Sequence, residues 1–242
     1  MKLFEAKDIV REHFGRLKFP TAFLDLAFEQ GRRTIEKYGN FWWMRDEKDF
    51  SFIVNQQAYD IKTIPNGGLN LPNFKDARRL ICKQSTATTW DPVTLGTVSK
   101  EDLDLAYATD DDGQPETAVI ENDQLIVYPP DPDEAYDARL YIYQWTDMPT
   151  SNLSSDDLLE FFPMALIYSA LAWGYEMEVK DLQVASYWRI LLGGNPFGQG
   201  GELAKLKQAN FKRDWQDKIE LTPRLGPGLN RRNLDNVQIY RR

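Results

Sequence analysis

The apolar residues of this chain change their period twice, and that double change limits its fold more than any other feature. Phe4, Ile9, Val10, His13 and Phe14 recur at helical spacing until Gly15 closes the segment. Pro20 suits the first turn of a second helix in which Leu24, Phe28, Gly31, Ile35 and Tyr38 share a stripe, and Gly39 with Asn40 supplies its stop. After Phe41, Trp42 and Trp43 the period shortens. Phe50, Phe52 and Val54 alternate with Ser51 and Ile53, Tyr59 and Ile61 bracket Asp60, and short β-branched and aromatic runs follow over residues 79–83, 118–120, 125–128 and 140–145. Turn signals separate these runs: Pro65 to Gly68, Asp110 to Gly113, and Pro129 to Pro132. A short helix over about 100–107, with Leu103 and Tyr107 four apart, interrupts them.

Helical spacing returns after Ser154, whose hydroxyl can cap a helix that Asp156 and Asp157 favour through the dipole. Phe162, Ala165, Leu166, Ser169, Ala172 and Trp173 give the strongest helical stripe, within which Pro163 either kinks the helix or opens its main part. Residues 182–191 form a further helix. A glycine-rich loop over 193–201 leads to a last one with Leu203, Leu206, Phe211, Trp215 and Ile219 on one face. Neither the early nor the late helices can bury their apolar faces alone, so the economical arrangement packs them together around an insertion. The expected fold class is therefore α+β. A helical bundle (residues 1–45 and 151–221) carries an inserted antiparallel β-sandwich or barrel-like lobe (46–150), and an extended C-terminal arm (222–242) follows.

That arm differs in charge from everything before it. Residues 222–242 hold Pro223, Gly226, Pro227, Gly228, five arginines and one aspartate, a formal +4, so that a chain of net charge −8 has a body of −12. Such a segment stays extended until something binds it. Arg224, Arg231, Arg232, Asn233, Leu234, Val237, Ile239, Tyr240, Arg241 and Arg242 combine cations with apolar anchors. The combination suits a groove on an acidic partner, where anchors fill pockets and arginines make bidentate contacts. Fully extended, the arm reaches up to about 70 Å, enough to cross a subunit boundary.

The residue inventory argues against most catalytic chemistry. His13 is the only histidine and falls on the stripe of the first helix, which reads as a structural residue and removes histidine-based triads. Cys82 is the only cysteine and sits in the apolar run with Leu80 and Ile81, so no disulfide framework and no Cys/His zinc site is expected. The acidic turn Asp110, Asp111, Asp112, Gly113 lacks the ligand spacing of a calcium loop, and the loop over 193–201 lacks the lysine of a phosphate loop. No catalytic residue, metal or cofactor is expected. No run approaches the roughly 20 apolar residues of a membrane span, and the start of the chain has no signal-peptide pattern, which places synthesis in a cytoplasm. The net charge of −8 argues against a protein whose main business is gripping nucleic acid.

The order of these pieces resembles phage head-to-tail connector proteins, the adaptors related to tail tubular protein A of short-tailed phages. The similarity runs over about 41–175. It begins with the aromatic cluster, Asn55, Gln56 and Gln57 before Tyr59, and Pro72, Asn73, Phe74 leading to Leu80 and Ile81. It continues through Gly113, Gln114, Pro115, then Val127 to Pro132, then Leu140 to Tyr143, and ends in the helix over 162–175. The resemblance implies a virion structural protein: a ring of identical subunits, usually twelve, under the portal protein. Its C-terminal arm would clamp the portal, a downstream tail nozzle or tube protein would lie on its other side, and DNA would pass in transit through the channel. An acidic channel suits such passage because a basic one would bind phosphate. A different class of function stays open: a glycan-binding tail or baseplate module, in which Trp90 or Trp145 would report saccharide binding, although Trp42, Trp43, Trp145, Trp173, Trp188 and Trp215 mostly occupy apolar stripes and read as core residues first.

Overall fold

The computed structural model describes residues 1–14, 20–63, 68–96, 98–107, 112–130, 132–194 and 200–220. The chain begins with helices α1 (Leu3–Phe14) and α2 (Thr21–Lys37), followed by a 3-10 turn, Trp42–Met44, that leads into the sheet. Seven strands follow: β1 (Arg45–Phe52), β2 (Ala58–Asp60), β3 (Phe74–Gln84), β4 (Asp91–Leu95), β5 (Thr117–Glu121), β6 (Gln124–Tyr128) and β7 (Tyr136–Gln144). Helix α3 (Lys100–Ala106) lies between β4 and β5. Helices α4 (Asp157–Phe161), α5 (Pro163–Gly174), α6 (Leu182–Gly193) and α7 (Glu202–Glu220) complete the order. The fold is α+β.

One sheet holds all seven strands in the order β1-β7-β3-β4-β5-β6-β2. It curls, so that Phe52 of β1 and Tyr59 of β2, on strands at opposite ends of the order, lie with ring centroids 5.5 Å apart. Residues of every strand share one core, with Leu80, Cys82, Val93, Ala118, Leu125, Val127 and Leu140 among its buried members. The pairing is antiparallel except between β4 and β5, which run parallel. That exception to the expected antiparallel lobe has a local cause: α3 supplies the crossover that a parallel pair requires. Ser99 caps α3 by accepting from Asp102 N. The alternation rule missed β4 because Pro92, which has no N–H, stands within it opposite Ile81.

The helices from both ends of the sequence meet in a second core. Leu24, Ala27, Phe28 and Ile35 of α2 pack with Ala165, Leu166, Ile167, Ala170 and Leu171 of α5, and Leu3, Val10 and Phe14 of α1 and Leu192, Leu203 and Leu206 join them. Each such leucine or phenylalanine, fully buried, contributes about 2 kcal/mol. Gly31 sets the spacing of α2 and α5, since a Cβ there would lie 3.0 Å from Ala170 N. Ser169 Oγ donates to Gly31 O at 3.0 Å across the same contact. The first turn of α1 docks on the segment before α4, where Leu3 N and Phe4 N donate to Ser154 O and Asn152 O at 3.1 and 3.0 Å. Backbone carbonyls thus satisfy two donors that a helix start leaves open.

Several local expectations shift by a residue or two. Phe4 and His13 are exposed, because the buried stripe of α1 runs through Leu3, Ala6, Lys7, Val10 and Phe14. Tyr38 is half exposed at the C-cap of α2, and Pro20 is that helix's N-cap rather than its first-turn residue. Ile53 and Val54 leave the strand for a turn with Asn55 at φ 59°, held by Tyr59, whose hydroxyl accepts from Ile53 N and donates to Gln56 O, each at 2.8 Å. Asp156, not Ser154, caps α4 by accepting from Leu159 N at 2.9 Å. Pro163 opens α5 as a first-turn residue.

Candidate functional site

The residues expected to bind a partner through the arm, Arg224, Arg231, Arg232, Asn233, Leu234, Val237, Ile239, Tyr240, Arg241 and Arg242, lie outside the described residues. So do Asp110 and Asp111 of the acidic turn and Gly15. What can be built from side chains is the joint between the two cores and two exposed faces.

The joint is made of charges held inside the molecule. Arg32 and Glu36, one helical turn apart on α2, have side chains 4% and 0% exposed, with Arg32 Nε 3.2 Å from Glu36 Oε1. Arg32 also donates through Nε to Thr146 Oγ1 at 2.7 Å and through its terminal nitrogen to Asp156 Oδ2. Thr146 Oγ1 donates to Glu36 Oε1, and Arg33 lies between Glu36 at 3.6 Å and Asp147 at 3.3 Å. From the sheet side, Lys75 of β3 donates to Glu36 O and to Gly39 O, the latter at 2.6 Å, with its ammonium 4.9 Å from the centroid of the Trp145 ring. Burial lowers the Lys75 pKa, opposed by the charges of Glu36 and Asp76. Around this centre, Trp42 Nε1 donates to Asp157 Oδ2 at 2.8 Å and Trp42 N to Asn210 Oδ1 at 3.0 Å. The network ties α2, β3, the end of β7, α4 and α7 into one rigid seat. Each of these carboxylates has a donor, an arrangement that suits the alignment of the elements it joins. Sequence reading passed over Arg32 and Glu36; the available signal was an i,i+4 ion pair placed next to the apolar stripe of Phe28, Gly31 and Ile35.

The first exposed face is a shallow cleft of about 420 Å³ on the sheet, lined by Asp49, Phe50, Ser51, Lys83, Trp90, Asp137, Ala138 and Arg139. Trp90, 37% exposed, has Lys83 Nζ 5.2 Å and the Arg139 guanidinium 5.4 Å from its ring centroid. Arg139 in turn makes a two-point contact with Asp49, at 2.6 and 3.0 Å, which holds the Asp49 carboxyl below its usual range. Trp145, by contrast, is partly buried against the helical core with Lys75 and Arg33 over its ring. The second face belongs to α6, where Leu182, Tyr187 and Ile190 are 65, 55 and 47% exposed beside Met177 at 56%.

Residues read as chemically inert are placed as follows. His13 is exposed and its Nδ1 donates to Ile9 O at 2.8 Å, the ring edge facing Trp188. Cys82 is buried, and burial raises its thiol pKa. The ends of the glycine loop close on each other, since a Cβ on Gly201 would lie 2.4 Å from Gly194 N. Among the described residues no group of three His, Cys, Asp or Glu side chains is arranged to hold a metal, and no helix is long and apolar enough to cross a membrane.

Comparison with known proteins gives one finding. Residues 13–199 match the model of a family described as SU10 adaptor protein, a stretch that takes in α2, the whole sheet and the helices through α6. No curated protein matches the chain.

Proposed function

The chain belongs to the SU10 adaptor protein family, a phage adaptor family whose members are structural, and from that premise we propose that it is the ring-forming joint between portal and tail. In this reading identical subunits, twelve of them, close into a ring under the portal protein in the neck of the virion. A nozzle or tube protein of the tail follows on the other side, and DNA passes through the channel. The helical part (residues 1–45 and 151–221) acts as a bundle-like base and the curled sheet (46–150) as an attached lobe. The arm over 222–242 clamps the portal through Arg224, Arg231, Arg232, Asn233, Leu234, Val237, Ile239, Tyr240, Arg241 and Arg242. Synthesis takes place in the host cytoplasm, and the role is structural rather than catalytic.

The family match carries this reading. Two properties of the chain support it: a body of charge −12 repels the phosphates of DNA in transit, and a cationic arm of +4 suits an acidic groove on a partner. A closed ring follows from one repeated heterologous contact. Mixing purified protein with portal tests it: rings on the portal vertex by electron microscopy are expected. A chain lacking residues 231–242 should keep its circular dichroism and lose attachment. Attachment undiminished by the deletion would remove the clamp, and no binding by the intact chain would remove the adaptor role.

The Trp90 cleft supports a second reading, a glycan-binding module, in which the exposed indole would stack on a sugar ring and Asp49, Asp137 and Arg139 would bond its hydroxyls. A Trp90→Phe variant isolates the signal. Saccharide-dependent quenching seen only with Trp90 present would support it, and an unresponsive spectrum would remove it.

A further inference from the structure

The two edges of the sheet are finished differently. At the β2 edge the chain folds back on itself: Leu69 N donates to Asp60 O and Leu71 N to Ile61 O, both at 2.7 Å, and Asn70 N to Thr63 O at 3.3 Å. At the other edge β1 runs for eight residues with β7 on one side only. From Asp46 to Phe52, among the described residues, no backbone group bonds to the outer side of the strand. An open edge of that length offers a row of unpaired amides and carbonyls to any extended segment that comes near.

We propose that the C-terminal segment of the same chain, residues 234–241, adds to β1 as an eighth strand of the sheet in the free subunit. Reach is the first argument. Helix α7 passes the root of β1, where Asn210 Nδ2 donates to Asn40 O and Asn210 Oδ1 accepts from Trp42 N, both at 3.0 Å, and the Arg213 guanidinium lies 5.0 Å from the Trp42 ring centroid. From Asn210 to Glu220 the helix advances about 15 Å. Residues 221–233 then span up to about 43 Å, more than the roughly 27 Å length of β1. A tether this short holds the segment at an effective concentration of about a millimolar, which favours its own β1 over that of another copy.

Sequence is the second argument. After Gly228 the arm contains neither glycine nor proline, and Val237 and Ile239 alternate with Gln238 and Tyr240, a period of two. Paired to β1, one side of that strand extends the apolar row of Phe50 and buried Phe52, while the other lies beside Glu47 and Asp49. Charge is the third. The side chains of Glu47 and Asp49 are 54 and 63% exposed and, among the described residues, pair with Arg139 alone, whereas the paired segment, itself neutral through Asp235 and Arg241, is flanked by Arg231, Arg232 and Arg242. The added strand would blunt an edge that otherwise invites pairing between copies. The proposal holds for the isolated protein and does not depend on the adaptor reading; where the arm also clamps a portal, the portal takes it from β1.

Amide hydrogen exchange on the full chain tests it, beside a chain ending at Leu221 and the double variant Val237→Pro, Ile239→Pro, which removes two strand donors without altering charge. The β1 amides that point away from β7 are expected to exchange at least about tenfold faster in both variants, with β3 and β7 unchanged. Equal exchange in the full chain and the double-proline variant overturns the proposal. Protection that disappears on dilution also overturns it, by assigning the added strand to a second copy. Portal binding, measured separately on the same variants, reads the adaptor role and leaves this result untouched.

Discussion

The helical core carries charge inside it and the sheet core does not. Among the described residues the buried polar and charged side chains are Lys7, Arg32, Glu36 and Ser169, all on α1, α2 or α5. Buried polarity in the sheet core is limited to the Cys82 thiol and the phenols of Tyr59 and Tyr136, whose hydroxyls have partners close by in sequence. The difference follows from how each core is assembled. The strands come from one continuous stretch, and their alternating apolar residues and short turns set the register. The helices come from the two ends of the chain, and where the close approach at Gly31 and the Ser169 hydrogen bond hold α2 to α5, the position of that pair on the sheet needs contacts of its own. Directional contacts from Arg32 and Glu36 to Thr146 and Asp156 select one alignment and tie it to the end of β7. Registry of this kind is the best-attested use of buried charge.

The comparison is broken most directly at Glu36. Replacing it by alanine leaves Arg32 buried with one carboxylate fewer and is expected to cost about 3–5 kcal/mol in urea unfolding. The double change Arg32→Leu, Glu36→Leu should recover most of that loss, and if it does not, the pair stabilises the fold rather than aligning it. In the sheet core, Leu80→Ala should cost about 3 kcal/mol through the cavity it leaves, with no partner change able to restore it. Coincident transitions by tryptophan fluorescence and far-UV circular dichroism would show that both cores unfold together; separated transitions would show that the joint is weaker than either core.

Alkaline pH sharpens the contrast, because it acts mainly on the sheet. Burial pushes the Tyr59 phenol up to about 12 from its ordinary 10, and burial also raises Tyr128 and Tyr136. A phenol whose folded pKa lies above its unfolded one contributes stability that is complete below pH 10 and is lost as pH climbs from about 10 towards 12. Tyr59→Phe should therefore flatten part of that loss in a pH series of unfolding midpoints. At neutral pH it should cost about 1 kcal/mol, for the hydrogen bonds to the 53–56 turn. The smallest effect is expected at Trp90→Ala, which removes two exposed cation contacts and should change stability by about 0.5 kcal/mol in either direction.

Much of the outline was legible in the chain itself. The stripe Leu24, Phe28, Gly31, Ile35 is buried in α2, Pro163 opens α5, and the predicted helix near 100–107 is α3. Strand β4 was not legible because Pro92 broke its pattern, and β3 is longer than its apolar run because charged residues occupy its half-exposed start. The joint was hidden for another reason. Arg32 and Glu36 look like any solvated i,i+4 pair until Thr146 and Asp156, more than a hundred residues away, close over them. The Trp90 cleft likewise joins residues from β1, β3 and β7 with the start of β4.

By itself the sequence determined the two kinds of periodicity, the segregation of charge between an acidic body and a basic arm, and the lack of a histidine or cysteine cluster. These are properties of neighbours along the chain, and local spacing and composition suffice to express them. Tertiary structure alone decided the parallel β4–β5 pair, the curl that brings Phe52 to Tyr59, the buried ion network and the edge of β1 that stays open among the described residues. Each depends on which distant segments come within a few ångströms of one another, and hydrogen bonding and desolvation act only at that range.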